Sequence, residues 1–219
     1  MFTSEDYRIL HKIVFNDNYP GYRPNVIESP NGDGVKDTQK RYAHVSQKYL
    51  DNNRHQSAQG WIKKTIILER YLEKAHNLAL DTAVQLGISP QFWPDIRYSA
   101  LRVLEYPPGA GSAAHTDFDL FTLNLYRNLP NKLLKTKEIV VGEGVLPLGV
   151  HAGELLQLLM TKGNFSIHAT PHKVIPSELN NYQYSIVYFA IPDHAAVLPS
   201  GETVGQWIEE RLKRSRYDV

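Results

Sequence analysis

The run His115-Thr116-Asp117 carries side chains that can do chemistry. In an extended segment, residues i and i+2 point to one side. An imidazole and a carboxylate so placed can take two neighbouring positions on one metal ion. Alone the signal is weak, because nine histidines and 23 acids in 219 positions give roughly one His-x-acid match by chance. The bland alternative is a loop histidine beside a turn aspartate. A third ligand must come from another segment. His172, in Ala169-Thr170-Pro171-His172-Lys173-Val174, is the candidate, with His168, His151 and His194 competing. Two histidines and one carboxylate form the facial set typical of non-haem Fe(II), which leaves positions open for oxygen and substrates. A closed structural zinc site usually wants a fourth protein ligand.

Composition narrows the alternatives. The chain has no cysteine, which excludes disulfides, thiolate clusters and cysteine nucleophiles. Its 24 basic and 23 acidic residues leave a net charge of +1, against the clear basic excess of a phosphate-tracking surface. A hydrophobic fraction of 42% supports a sizeable core in a single domain over residues 1–219. The start, Met-Phe-Thr-Ser-Glu-Asp, lacks a basic stretch followed by an apolar run, so a secretory leader is not expected. The longest apolar stretch, near 145–160, is broken by Pro147, His151 and Glu154, so no membrane span is expected. A soluble, cytoplasmic protein with no nucleic-acid or membrane partner is the expectation.

These ligands need a frame. A short helix is expected around Ser4–Phe15. Pro20-Gly21, Ser29-Pro30, Asn31-Gly32 and Asp33-Gly34 then mark a loop-rich segment over 21–40. Residues 61–86 show helical apolar spacing from Trp61 to Leu86, with Gly87 as the stop. Its mixed-charge outer face reads as a packing helix with no chemistry. From residue 97 to 200 the pattern turns to short β-rich runs: 96–106, 120–126, 139–141, 149–159, 165–174 and 182–191. So many short strands suggest a sandwich or barrel. Residues 202–217 read as a terminal helix with Trp207, Ile208 and Leu212 inward, and its basic residues, interleaved with Glu209 and Glu210, form a solvated face. On the strand after His115-x-Asp117, Asn124 and Tyr126 alternate with Leu123 and Leu125, which points both toward a pocket.

Taken together, these motifs resemble the 2-oxoglutarate/Fe(II)-dependent dioxygenases of the isopenicillin N synthase-like group. Leu101-Arg102-Val103-Leu104-Glu105-Tyr106-Pro107-Pro108 resembles the strand before the family's first ligand. His115 to Leu123 resembles its His-Thr-Asp-x-x-x-x-Thr-Leu run. Gly153-Glu154-Leu155-Leu156-Gln157 resembles its Gly-Asp-x-Leu-Gln strand, with Glu for Asp. Ala169 to Val174 resembles its Ala-Thr-x-His-Arg-Val, with Lys for Arg, and Gly21-Tyr22-Arg23-Pro24 also fits. The resemblance implies a double-stranded β-helix, or jelly-roll, mainly β with flanking helices. It implies an Fe(II) ion on His115, Asp117 and His172, with 2-oxoglutarate and O2 as co-substrates. The expected outcome is hydroxylation, desaturation, cyclisation or dealkylation of a small-molecule metabolite. Members are usually longer at the N-terminus, so the pocket mouth is expected to be more open, or filled by residues 21–60 or a partner subunit.

One departure matters. The family closes its site with Arg-x-Ser, which grips the distal carboxylate of 2-oxoglutarate, and this chain has Gln183-Tyr184-Ser185. On a strand Gln183 and Ser185 share a face, so the geometry survives and the charge does not. An arginine offers a bidentate, charged fork where glutamine offers a neutral amide. The resemblance also implies that Tyr106 bonds a carboxylate of the co-substrate. Lys173, Arg102 and Arg97 are candidates to supply the missing cation. Two other readings stay open: an iron oxidase that does without 2-oxoglutarate, and a cupin-like metal-binding protein without oxygenase activity. The nucleic-acid demethylase branch is disfavoured, since His172 is followed by only Lys173 until Arg211.

Overall fold

The computed structural model describes residues 2–26, 40–54, 59–128, 140–141, 144–145, 149–160, 167–174, 176 and 181–214. The first helix, α1 (Ser4–Val14), is capped by Thr3, whose hydroxyl accepts from the Asp6 amide at 3.2 Å. The Asp6 carboxylate accepts from the Thr3 amide at 2.7 Å in return, so the free donors of the helix end are satisfied reciprocally. β1 (Tyr22–Val26) and β2 (Lys40–Val45) occupy the two ends of the segment expected to be loop-rich. The turn signals at 29–34 lie outside the described residues.

Two helices follow, α2 (Gln47–Arg54) and α3 (Gln59–Gln85). α3 stops where its sequence says it should. Gly87 has φ +65°, its amide donates to the Val84 carbonyl, and the Ile88 amide donates to the Ala83 carbonyl, both at 3.0 Å. This Schellman arrangement needs the left-handed residue that glycine supplies without strain.

The strands after residue 97 are β3 (Ala100–Tyr106), β4 (Phe121–Arg127), β5 (Val140–Val141), β6 (Gly144–Val145), β7 (Val150–Ala152) and β8 (Gln183–Ala190). The run 149–159, expected as one strand, divides into β7 and the helix α4 (Glu154–Met160). Its sequence Glu-Leu-Leu-Gln-Leu-Leu-Met contains only strong helix formers and no β-branched residue, and Leu155 and Leu156 are fully buried. In the run 165–174, the described part holds a single isolated bridge at His172. α5 (Val204–Arg214) closes the chain's described portion.

Six strands make one sheet in the order β1-β2-β3-β8-β4-β7, with every pairing antiparallel. β5 and β6 form a separate hairpin. The sheet has two distinct faces. Leu101, Val103, Ile186 and Tyr188 are fully buried on the side where α3 packs against β3 and β8. Leu68, Leu72, Ala75, Ala79 and Ala83 of α3 are buried in the same cluster. The small alanines let helix and sheet approach closely, and His76 Nδ1 meets the Tyr188 hydroxyl at 2.9 Å. Period-2 alternation sends Arg102, Leu104 and Tyr106 of β3, and Gln183, Ser185, Val187 and Phe189 of β8, to the opposite face. There they line a cavity of about 680 Å³. Among the described residues, no helix is long and apolar enough to cross a membrane.

Candidate metal centre

His115 and His172, 57 positions apart in sequence, meet as an antiparallel bridge. The His115 amide donates to the His172 carbonyl at 2.9 Å and the reverse bond measures 2.8 Å. Residues that exchange both bonds project side chains to one side, and the ring centroids lie 4.3 Å apart. His115 Nδ1 sits 2.8 Å from the Ala113 carbonyl, and His172 Nδ1 sits 3.0 Å from the Thr170 carbonyl. A carbonyl only accepts, so each Nδ1 carries a proton, and in the neutral tautomer this leaves the lone pair on Nε2. Those Nε2 atoms lie 3.8 Å and 3.7 Å from the Asp117 oxygens Oδ1 and Oδ2. The three donor atoms converge within 4.8 Å of one another. Backbone acceptors fix both tautomers in the form that binds a metal.

The carboxylate is held from behind. Thr122 Oγ1 lies 2.6 Å from Asp117 Oδ2 and 2.9 Å from Asp119 Oδ2. A hydroxyl has one proton, so it cannot donate to both acids. Burial, and next the charge of Asp117, push Asp119 well above the usual carboxylate range. Asp119 therefore keeps its proton and donates to Thr122, and Thr122 donates to Asp117. Burial also opposes ionisation of Asp117, but the two imidazoles and the Thr122 hydroxyl outweigh it and hold this acid below its ordinary value. Burial, then the neighbouring His172, keeps His115 below its ordinary value and hence neutral at pH 7. Two imidazoles and one carboxylate are the donor set for a hard-to-borderline divalent ion.

The start of α4 anchors the ligand segment. The Glu154 amide donates to the Asp117 carbonyl at 2.8 Å and the Leu155 amide donates to the Asp119 carbonyl at 3.2 Å. The Glu154 carboxylate accepts from Thr116 and from Arg211 of α5, each at 2.6 Å. Gly153 lies so close to Asp119 that a Cβ there would overlap its backbone carbonyl.

The competing histidines separate cleanly. His168 is exposed, and His194 stacks on Tyr98 at 3.9 Å. His151, opposite Thr122 on β7, comes nearest, with its ring 4.9 Å from that of His172. It stands outside the convergent set, and burial, then His172, holds it down to about 4. Of the expected co-substrate residues, Tyr106, Gln183, Ser185 and Arg102 line the cavity, and Gln183 pairs with Tyr106 across β3 and β8. Lys173 is exposed and is not among the lining residues, because His172 beside it on the extended chain takes the inward direction. Arg97 is paired with Asp95 and Asp193 on the surface.

The pocket wall on β4 differs from its expected alternation. Asn124 lines the cavity, its amide nitrogen 3.3 Å from His151 Nε2. A β-bulge follows it, and Tyr126 pairs with the buried Ile186 and packs against Tyr7 of α1 at 6.0 Å. Arg127 then takes the cavity side. Sequence periodicity points Tyr126 inward and hides Arg127, and no local residue type signals the bulge.

The fold has counterparts among solved structures. A Shewanella oneidensis protein classed as an oxygenase superposes with TM-score 0.57 and 21% identity, over 96% of this chain and 87% of its own. A full-length Neurospora crassa protein, solved in complex with α-ketoglutarate (2-oxoglutarate), gives 0.55 and 19% over 80% and 66%. A Caulobacter crescentus protein classed in the 2OG-Fe(II) oxygenase family gives 0.53 and 16% over 94% and 80%. The chain has the jelly-roll fold of the 2OG-Fe(II) oxygenases. No protein-family model and no curated protein sequence matches it.

Proposed function

We propose that this jelly-roll chain is a non-haem Fe(II) oxygenase that couples O2 and 2-oxoglutarate to the oxidation of a small-molecule metabolite. The observation that carries the reading is the convergence of His115 Nε2, His172 Nε2 and an Asp117 oxygen within 4.8 Å on the wall of a roughly 680 Å³ cavity. The donor set fits the metal. Backbone acceptors on both Nδ1 atoms orient the Nε2 atoms as donors, the Asp117 carboxylate is held below its ordinary value, and all three residues line the cavity. When bound, Fe(II) with 2-oxoglutarate supplies oxidising power from O2, the 2-oxo acid leaving as succinate and CO2.

The protein's own part is placement. His115, Asp117 and His172 hold the ion. Thr122 keeps Asp117 oriented, and neutral Asp119 keeps Thr122 oriented. Tyr106, Gln183 and Ser185 form the polar end of the wall on β3 and β8, where the 2-oxo acid would rest. Leu104, Val187 and Phe189 exclude water along the rest. Neutral Gln183 is the one observation that favours an iron oxidase independent of 2-oxoglutarate.

The test is a balance sheet of turnover. Fe(II)-loaded protein should consume O2 and release succinate from 2-oxoglutarate, and Asp117→Ala should abolish both. Oxygen uptake without 2-oxoglutarate decarboxylation would support the independent oxidase. Tight zinc retention with no turnover of either kind would support a cupin-like binder and overturn the proposal.

A further inference from the structure

We propose that Arg127 binds the distal carboxylate of the 2-oxo acid, supplying from β4 the charge that Gln183 lacks on β8. This rests on the oxygenase reading above and adds a residue to it.

The register places Arg127 there. Ser185 of β8 is flanked by Leu104 of β3 on one side and by Arg127 of β4 on the other. Neighbouring strands are about 4.8 Å apart, well inside the length of an arginine side chain. Gln183 lies two residues along the same face of β8, opposite Tyr106. Ser185, Gln183, Tyr106 and Arg127 thus share one end of the cavity wall. The β-bulge between Asn124 and Tyr126 is what turns Arg127 to that side. Asn128 pins the turned segment. Its side-chain oxygen accepts from the Tyr184 amide at 2.6 Å, its amide donates to the Tyr182 carbonyl at 3.2 Å, and its backbone amide donates to the Tyr184 carbonyl at 3.1 Å.

The environment asks for an anion. Arg127 is half-buried, and among the described residues its guanidinium has neither an ion pair nor a side-chain hydrogen bond. Withdrawing a permanent cation from water without a partner is costly. Among the described residues, the acids lining the cavity are Asp117 and Asp119, both joined to Thr122. Among the same residues, three other cations line the cavity: Arg23 donates to the Pro20 and Tyr22 carbonyls, each at 2.9 Å, and Lys40 is buried at the start of β2, where its charge acts on His115. The Arg102 guanidinium lies over the Tyr42 ring at 4.4 Å and the Phe189 ring at 4.8 Å, with Nη2 3.1 Å from His44 Nε2. A planar guanidinium beside the Ser185 hydroxyl matches a carboxylate with two parallel bonds.

Binding separates this from activity. Mn(II)-loaded protein is titrated by calorimetry with 2-oxoglutarate and with 2-oxopentanoate, which has a methyl group where the distal carboxylate would be. The wild type should favour 2-oxoglutarate by about ten- to a hundredfold, the value of hydrogen bonds to a charged group. Arg127→Gln should bind the two acids about equally while keeping the wild-type affinity for 2-oxopentanoate, which also certifies that the variant is folded. Arg127→Lys should fall between, and Arg102→Gln should keep the preference. If Arg127→Gln retains the preference, or loses affinity for both acids alike, the assignment of Arg127 fails and the oxygenase reading stands. If the Mn(II)-loaded wild type binds no 2-oxoglutarate, both fall together.

Discussion

Replacing Thr122 with valine removes a single hydroxyl at nearly constant volume, and the consequence can be worked from the geometry. The hydroxyl donates to Asp117 Oδ2 over 2.6 Å and accepts from neutral Asp119 over 2.9 Å. Valine severs both links and leaves a methyl group against two acids. A hydrogen bond to a charged group contributes about 1.5–3 kcal/mol. The metal-bound state feels the loss most, because binding demands one orientation of the Asp117 side chain. The metal-free carboxylate, with 12% of its surface exposed, is free to turn toward solvent. At about 1.4 kcal/mol per factor of ten, the metal dissociation constant should rise about ten- to a hundredfold. Mn(II) or Co(II) titration by calorimetry, at pH 7.5, measures this directly. Thr122→Ser keeps the hydroxyl and should stay within about threefold of wild type, since the bond itself persists. Asp119→Asn should do likewise, because an amide donates to Thr122 as the protonated acid does. The reasoning is refuted if Thr122→Val binds metal as tightly as wild type, or if Thr122→Ser is as weak as Thr122→Val.

Two further outcomes follow from the same frame. Gly153→Ala would drive a methyl into the Asp119 carbonyl, so it should destabilise the fold by about 1–3 kcal/mol. At about 2–4 °C per kcal/mol, that is a fall of roughly 2–12 °C in Tm, with weakened metal binding because the Asp117–Thr122 segment must shift. An unchanged melting curve would show that the segment yields at no cost. His44, on β2 at the cavity wall, is held well below 6.5, first by burial and then by the Arg102 charge. The unfolded chain therefore takes up a proton below pH 6.5 that the folded chain refuses. Stability is level above about pH 6.5 and falls as the pH drops, by at most about 1.4 kcal/mol per pH unit for this group. Urea unfolding from pH 7.5 to pH 5 should show a shallower fall in His44→Gln, and identical slopes would remove His44 from the account.

The parts of the site that can be read from sequence are those whose logic is local. His115-x-Asp117 needs only two neighbouring positions, and Thr122 stands in the same short run. α1 and α3 announce themselves through Thr3 with Asp6 and through Gly87, because caps and stops act over three or four residues. The pairing of His115 with His172 is not local, and only the likeness of the flanking runs to a known family selects His172 over His151, which ends within 4.9 Å of it. The residues that escape are those whose direction is decided by a partner strand. Period-2 alternation puts Asn124 and Tyr126 on one face. The ladder with β8 then matches Asn124 to Val187 and Tyr126 to Ile186, and the unpaired residue between them reverses every side chain beyond. Tyr126 goes to Tyr7 and the helices, where its ring is worth most. Arg127 goes to the cavity, where a charge is tolerable only if something anionic comes to meet it. The same slip that defeats the alternation thus brings a cation to the wall on which position 183 carries none.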